Sequence, residues 1–187
     1  LQGGNWGDYD NDGDLDLFVA NWRGENDFLY QNNGDGTFSD MTEQSGLTGL
    51  TGGLNMKHCD FNNDGFLDIF VLRGAWFDSY GKVPNSLIRN NGDGTFTDVT
   101  VEAGLLSYYP TQTAAWADYN NDGWQDIFVA SFGFPDPESS NSVAEVAAKN
   151  FMCIYAGSNP RFYENNGDGT FSDLTEQMGL TDGMYAM

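Results

Sequence analysis

Three short segments of the chain carry acidic and amide side chains at a spacing that could bind a metal ion. Their shared pattern is D-x-[DN]-x-D-G-x-x-D, and the copies begin at Asp8, Asp60 and Asp118. Oxygen ligands of this kind suit Ca²⁺, a hard cation that takes about six to eight of them. Alternate residues of a tight turn can point inward together, so positions 1, 3, 5 and 9 would offer side-chain oxygens and position 7 a backbone carbonyl.

The sequence therefore predicts three Ca²⁺ sites, one in each loop. Glycine at the sixth position permits the positive-φ turn that would wrap the chain around an ion. The predicted ligands are Asp8, Asp10, Asp12, Asp16 and the carbonyl of Asp14 in the first loop; Asp60, Asn62, Asp64, Asp68 and the carbonyl of Phe66 in the second; and Asp118, Asn120, Asp122, Asp126 and the carbonyl of Trp124 in the third.

The loop pattern has two other interpretations, an EF-hand and a plain turn. An EF-hand needs a bidentate Glu at position 12 and flanking helices, but position 12 is Val19, Val71 or Val129. The flanking residues are β-branched and aromatic, which favours strands. A plain turn rich in Asp and Asn is the simpler alternative. It would gain nothing from carboxylates that repel one another at the same spacing three times over.

The loops belong to three repeats, each of which predicts four β-strands. A second motif, Asn-Asn-Gly-Asp-Gly-Thr-Phe, follows every loop and is typical of a hairpin turn rather than another ion site. The predicted strands are 3–8, 15–20, 28–31 and 37–41 in repeat one, with 54–60, 86–89 and 95–99 in repeat two and 113–118, 161–164 and 170–174 in repeat three.

Four strands in each unit predict an all-β fold, a β-propeller fragment with three four-stranded blades. The repeats are assigned to residues 1–50, 51–108 and 109–183, with residues 184–187 opening a further repeat. Thirteen residues separate the end of one repeat from the next Asp loop, at Leu47 to Asp60 and at Leu105 to Asp118. The same step from Leu180 passes beyond Met187, so we expect more blades in a longer chain.

The loops and the Asn-Asn-Gly-Asp-Gly-Thr-Phe hairpins resemble the FG-GAP/VCBS repeats of integrin-α-type propellers. The resemblance covers essentially the whole chain and is strongest to the branch of bacterial repeat proteins and cartilage acidic proteins. It implies a seven-bladed propeller with structural Ca²⁺. It also implies an extracellular, cell-surface or periplasmic adhesion, binding or assembly module. Asn62 and Asn120 stand where the family pattern has Asp, which bears on the strength of binding.

Composition limits the classes of function. The chain has 28 Asp and Glu against 7 Lys and Arg, a net charge of −21. Such a surface repels nucleic acid and anionic membranes, and no apolar run is long enough to span a bilayer. No catalytic motif is present, so the chain is predicted not to be an enzyme. The alternative is a non-catalytic propeller domain of a secreted carbohydrate-active enzyme.

Three further side chains, those of His58, Cys59 and Cys153, lie outside the Asp loops and the hairpins. His58 takes the repeat position of Trp6 and Trp116, which predicts a packed ring rather than a catalytic base. Cys59 takes the position of Gly7 and Ala117, which predicts a small buried thiol. A disulfide between Cys59 and Cys153 is the alternative in a secreted protein.

The connection between strands two and three varies most in length. It spans 16 residues from Asp16 to Asn32, 22 from Asp68 to Asn90 and 39 from Asp126 to Asn165. Loops on a rigid scaffold often carry function. We therefore expect these connections, which lie at the end of the propeller opposite the Asp loops, to bind a protein or carbohydrate ligand or further subunits. The alternative is that their aromatic residues pack on neighbouring loops. The candidate contacts are Trp22, Trp76, Phe77, Tyr80, Phe132 and Phe134, and residues 142–151 are predicted to form a short helix.

Overall fold

The computed structural model describes residues 3–21, 25–73, 84–108, 111–131 and 160–180. Within these ranges the chain forms β-strands, and no helix is long and apolar enough to cross a membrane. The strands are β1 (Gly3–Gly7), β2 (Asp16–Ala20), β3 (Phe28–Asn32), β4 (Phe38–Asp40), β5 (Asn55–Cys59), β6 (Asp68–Leu72), β7 (Ser86–Asn90), β8 (Phe96–Asp98), β9 (Thr111–Ala117), β10 (Asp126–Ser131), β11 (Arg161–Asn165) and β12 (Phe171–Asp173).

The strands form three antiparallel sheets of four, each built from consecutive strands. The orders are β1-β2-β3-β4, β5-β6-β7-β8 and β9-β10-β11-β12. Register repeats from sheet to sheet, for example Gly7 opposite Asp16 and Cys59 opposite Asp68. The predicted all-β fold of four-stranded blades is therefore confirmed.

The second strand of each sheet lies at the centre of the hydrophobic core. All five residues of β6 are buried. Ile69 and Val71 pack with residues of the first sheet, whereas Phe70 and Leu72 pack with residues of the third. Because a strand presents alternate side chains to opposite faces, a nearly continuous apolar run is what a strand covered on both faces requires.

Backbone hydrogen bonds join each blade to the next. The amide of Phe96 donates to the carbonyl of Ser45 at 2.9 Å, and the amide of Phe171 donates to the carbonyl of Ala103 at 2.9 Å. The accepting residues lie in the turn that follows the fourth strand, where Leu47 and Leu105 are buried. These bonds consequently tie the turn after the fourth strand of one blade to the first residue of the fourth strand of the next.

Candidate metal sites

Each Asp loop connects the first two strands of its sheet and turns through two residues of left-handed conformation. Gly13, at the sixth position, has φ of 95°, and no atom would lie within 4 Å of an added Cβ. Asn11, at the fourth position, has φ of 60°, and the equivalent Asn63 and Asn121 have 56° and 59°. Asn is among the few residues that tolerate this conformation. The sequence prediction identified the glycine and missed the asparagine, although Asn occurs there in all three copies.

Side-chain oxygens at positions 1, 3 and 5 accept hydrogen bonds from the loop backbone. Asp8 accepts from the amides of Asp12 and Gly13, both at 3.1 Å, and Asp12 accepts from the amide of Asp14 at 2.8 Å. The same bonds recur in the other two loops, on Asp60 and Asp64 and on Asp118 and Asp122. These bonds fix the carboxylates at the loop and leave each oxygen a further lone pair.

The first loop gathers three carboxylates into one cluster. Ligand oxygens of Asp8, Asp10 and Asp16 all lie within 4.8 Å of one another. Asp12 is outside this cluster, with one oxygen bonded to the backbone of Asp14. In the second and third loops Asn62 and Asn120 replace the carboxylate of Asp10 with an amide oxygen, which accepts from the amide of Asp64 or Asp122.

The aspartate at position 9 ties the loop to the third strand. Asp68 is 1% exposed, and its two oxygens accept from the amides of Phe61 at 3.1 Å and Asn90 at 2.8 Å. Asp16 and Asp126 make the equivalent bonds. Burial raises the pKa of all three carboxyls, to about 7 for Asp68, and neighbouring loop carboxylates raise it further. Each of these buried anions would therefore be stabilised by a nearby cation.

The position-7 residues, whose carbonyls are predicted ligands, use their side chains to cover the hairpin of the same blade. An added Cβ on Gly92 would lie 2.6 Å from the Phe66 ring, and one on Gly167 would lie 2.8 Å from the Trp124 indole. Asp14 lies over Gly34 in the same way. The first glycine of each Asn-Asn-Gly turn is thus required both by its positive φ and by this contact.

Two asparagine side chains link each loop to the loop of the neighbouring blade. The amide of Asn11 donates to the carbonyl of Gly65 at 2.9 Å, and that of Asn63 to the carbonyl of Gly123 at 3.0 Å. In the opposite direction Asn90 donates to the carbonyl of Tyr9 at 2.7 Å, and Asn165 to that of Phe61 at 2.8 Å. The sequence prediction missed these bonds because the paired residues are 54 to 104 positions apart.

The remaining predicted residues have separate outcomes. His58 packs edge-on against Tyr9, with ring centroids 6.3 Å apart, and burial lowers its pKa, so the packed ring is confirmed. Cys59 is a free, half-buried thiol whose pKa burial raises to about 12, while Cys153 lies outside the described residues. Also outside them are the predicted helix and the six partner-binding candidates Trp22, Trp76, Phe77, Tyr80, Phe132 and Phe134.

Consecutive four-stranded antiparallel sheets with one Asp loop each define this chain as part of a β-propeller of repeated blades. Residues 8–71 and 60–129 match the family of FG-GAP-like repeats. The chain belongs to that family. The hairpins and loops that carried the resemblance at the sequence level are the same segments that form the turns of the three blades.

Two curated relatives share the repeats. Cartilage acidic protein 1 of Xenopus tropicalis is 31% identical over 129 residues, covering 67% of this chain, and that of Homo sapiens is 28% identical over 174 residues, covering 90%. The chain spans 18% and 25% of those proteins. Among solved structures, it is similar to a chain from a study of non-reducing terminal N-acetylglucosamine recognition by an Agrocybe aegerita lectin. The TM-score is 0.45 at 23% identity, and the match covers 89% of this chain and 36% of that one.

Proposed function

We propose that this chain is part of a Ca²⁺-stabilised propeller that binds or assembles with a partner outside the cell, with one structural Ca²⁺ in each blade. The observation that carries the proposal is the thrice-repeated loop of oxygen donors. In the first copy it gathers the carboxylates of Asp8, Asp10 and Asp16 within 4.8 Å. Mutual repulsion makes such a cluster costly unless a cation offsets it.

The donor set fits Ca²⁺ better than a transition metal. Every predicted ligand is an oxygen of a carboxylate, an amide or the backbone, and hard oxygen ligands select Ca²⁺ or Mg²⁺. Mg²⁺ demands near-ideal octahedral geometry and keeps several of its waters. A loop crowded with side-chain oxygens favours the larger and more adaptable ion.

The role of the ion in this proposal is structural rather than catalytic. It would hold together a loop whose ends are the first two strands of a blade and whose Asn and Gly residues contact the adjacent loop. A ligand that binds only the folded state adds stability by mass action, about 2.7 kcal/mol per site at 100 times Kd. Extracellular modules bind Ca²⁺ with Kd of about 10⁻⁴–10⁻³ M, so the proposal places the protein where free Ca²⁺ is abundant.

A calorimetric titration of the metal-free chain with Ca²⁺ tests the proposal. We expect three bound ions and a Tm that falls sharply in EGTA. Asp60→Asn should remove one ion, because position 1 supplies a carboxylate and accepts two loop amides. Asp93→Asn is the matched control, since Asp93 is an exposed hairpin aspartate bonded to Thr95, and it should leave three. Fewer than two ions, or the same Tm with and without EGTA, would contradict the proposal.

A further inference from the structure

The residue before the Asn-Asn pair differs in each blade, and two of the three side chains reach the Asp loop. In the first blade the amide of Gln31 donates to Oδ2 of Asp10. In the third blade Oε1 of Glu164 accepts from Nδ2 of Asn120 at 3.0 Å and from the hydroxyl of Tyr119 at 3.3 Å. In both blades the strand residue contacts position 3 of the loop, the one side-chain ligand position that differs between loops.

These two pairs are complementary in hydrogen bonding. A carboxylate at position 3 faces an amide donor, whereas an amide at position 3 faces a carboxylate acceptor. Oδ1 of Asn120 faces the loop and accepts from the amide of Asp122 at 3.0 Å, as Oδ1 of Asn62 accepts from that of Asp64 at 3.3 Å. The acceptor on β11 gives Nδ2 of Asn120 a second hydrogen bond besides its bond to Asp122 at 2.9 Å, and so restrains the amide in this orientation.

Glu164 also restores a negative charge. The third loop has Asn120 where the first has Asp10, and Glu164 returns the lost carboxylate next to that position.

The second blade lacks this compensation. Its loop has Asn62 at position 3, whose amide donates to Asp64 at 2.8 Å, as Asn120 does to Asp122, but has no acceptor on the third strand as the structure describes it. The matching strand residue is a cation, Arg89, whose guanidinium donates to Asn91 at 3.4 Å instead.

We infer that Glu164 is a positioning residue of the third metal site and that this site binds Ca²⁺ more tightly than the second. The inference rests on the proposed function, because it concerns the same ions. Glu164 gives Nδ2 of Asn120 an additional acceptor that Asn62 lacks among the described residues, and it adds a carboxylate to the charge that attracts the ion. The second loop has the same ligand types without that support, so it is the weakest of the three.

Terbium(III), a luminescent substitute for Ca²⁺, can report the third site by itself in the full 187-residue chain. Trp124 is the position-7 residue of that loop, and its indole would transfer energy to terbium bound there. The part of the signal lost in Trp124→Phe, which places there the residue found at Phe66, belongs to the third site. Displacing terbium with Ca²⁺ then gives the relative affinity of that site, and calorimetry gives the total stoichiometry.

Glu164→Gln should weaken Ca²⁺ at the third site about tenfold, since a charge-assisted bond becomes a neutral one and a unit charge is lost. Asn120→Asp combined with Glu164→Gln rebuilds the first blade's pair and should return the affinity to within about threefold of the parent. Arg89→Glu should strengthen the second site, seen by calorimetry as loss of the weakest binding step. Far-ultraviolet circular dichroism checks that each variant is folded.

The outcomes separate the two proposals. Ca²⁺ binding that is unchanged in Glu164→Gln, or a double variant no better than the single one, overturns the role of Glu164 and leaves the structural ions standing. A second site as tight as the third overturns the predicted ranking. No Ca²⁺ or terbium binding by the parent chain overturns the proposed function and this inference together.

Discussion

Asp16, Asp68 and Asp126 show how a single residue joins an Asp loop to a sheet. Each is buried at the start of the second strand and accepts one amide from its loop and one from the third strand. The carboxylate therefore connects three segments of one blade: the Asp loop, the second strand and the third strand. Substituting it would damage the fold as well as the proposed ion site, so the half-buried Asp at position 1 is the better choice for testing metal binding.

Asp27 is a buried carboxylate at the other end of the first blade, and it predicts a pH dependence of stability. It is 0% exposed, accepts from the amide of Asn21 at 2.8 Å and has no hydrogen bond to Oδ2 within the described residues. Burial raises its pKa to about 6, although Arg73 acts in the opposite direction. In the unfolded chain the pKa of an Asp carboxyl is about 3.9. Between about pH 4 and 6, Asp27 is therefore more protonated in the folded state than in the unfolded state, and unfolding releases a proton. The free energy of unfolding consequently falls as pH rises through that window.

Asp27→Asn should therefore raise the free energy of unfolding at pH 7 by about 1–2 kcal/mol, with the gain shrinking toward pH 4. Asn85 takes the equivalent place in the second blade, where its oxygen accepts from the amide of Arg73 at 2.9 Å, so an amide fits there. Asn85→Asp is the reciprocal control and should lower stability at neutral pH. Urea unfolding of the three proteins across pH, at one Ca²⁺ concentration, measures the effect. A gain from Asp27→Asn that does not change with pH would refute the assignment.

At this scale the sequence predicted what is local and missed what is not. The turn glycine at the sixth position of the Asp loop and the packed His58 both follow from residues compared between repeats. The raised pKa of Asp27 depends on its burial in the folded chain and on the opposing charge of Arg73 in the next repeat. The pairing of Glu164 with Asn120 spans 44 positions and occurs in one repeat of three, so repetition gave no signal for it.

At the scale of elements, the hairpin between the third and fourth strands and the Asp loop form one packed unit. Gly92 has φ of 73° and would carry a Cβ 2.6 Å from the Phe66 ring, whereas Gly94 has φ of 83° and open space around it. Both glycines lie in the same turn. The pair thus separates the cost of backbone conformation from the cost of displacing Phe66.

Gly94→Ala should lower the free energy of unfolding by about 1–2 kcal/mol, the cost of placing a side chain in the left-handed region. Gly92→Ala should lower it by about 1–3 kcal/mol more, because Phe66 must also move out of its packed position. Because Phe66 is the position-7 residue, Gly92→Ala should also weaken Ca²⁺ binding at the second loop. Denaturant unfolding and calorimetry measure the two effects, and equal losses from the two variants would contradict the packing argument.

The hydrogen bond from Asn63 to the carbonyl of Gly123 predicts that adjacent loops stabilise each other. Asn63→Gly keeps the positive φ and removes the bond, and it should lower the free energy of unfolding by about 0.5–1.5 kcal/mol. Asn121→Gly is the matched control, since Asn121 has the same conformation and makes no such bond to another loop within the described ranges. Urea unfolding at saturating Ca²⁺ compares the two. A loss from Asn121→Gly as large as that from Asn63→Gly would argue against coupling between loops.

Strand positions were predicted well because the hydrophobic pattern is repeated three times. The main difference is in the fourth strands, which were predicted to span five residues and span three. In each case an aspartate side chain accepts the amide of the residue two positions later, as Asp40 does from Thr42 at 3.0 Å. This turn takes the backbone out of the sheet. The Asp-x-Thr sequence marks it in repeats one and three, at Asp40 and Asp173, and also in repeat two, at Asp98.

At the scale of the three blades, faces that are covered between adjacent blades are exposed on the outer sides of the first and third blades. Tyr9 and Phe61 are 4% and 2% exposed, but Tyr119, at the same position of the third loop, is 42% exposed. Phe96 and Phe171 are 9% and 7% exposed, whereas the equivalent Phe38 of the first blade is 45% exposed. Inside the array these residues pack together, with Tyr9 and Phe96 at 6.3 Å and Phe61 and Phe171 at 5.9 Å between ring centroids.

The first blade therefore exposes the face around Phe38, which can receive an aromatic ring. The third blade exposes the ring of Tyr119. Two different faces that fit each other make a heterologous contact, which joins copies head to tail. We expect the 187-residue chain to associate in this way at high concentration, in Ca²⁺ and enough salt to screen its net charge of −21. Phe38→Asp and Tyr119→Asp should each give a monomer, because each destroys one of the two faces.

An equimolar mixture of those two variants distinguishes specific docking from general adhesion of apolar surface. The Phe38→Asp chain keeps its third-blade face, and the Tyr119→Asp chain keeps its first-blade face, so one intact pair of faces remains. Sedimentation velocity should show dimers in the mixture, monomers of each variant alone and larger species of the parent chain. If the mixture stays monomeric while the parent associates, the contact does not repeat the interface between blades. If both variants associate as the parent does, Phe38 and Tyr119 are not responsible for the association.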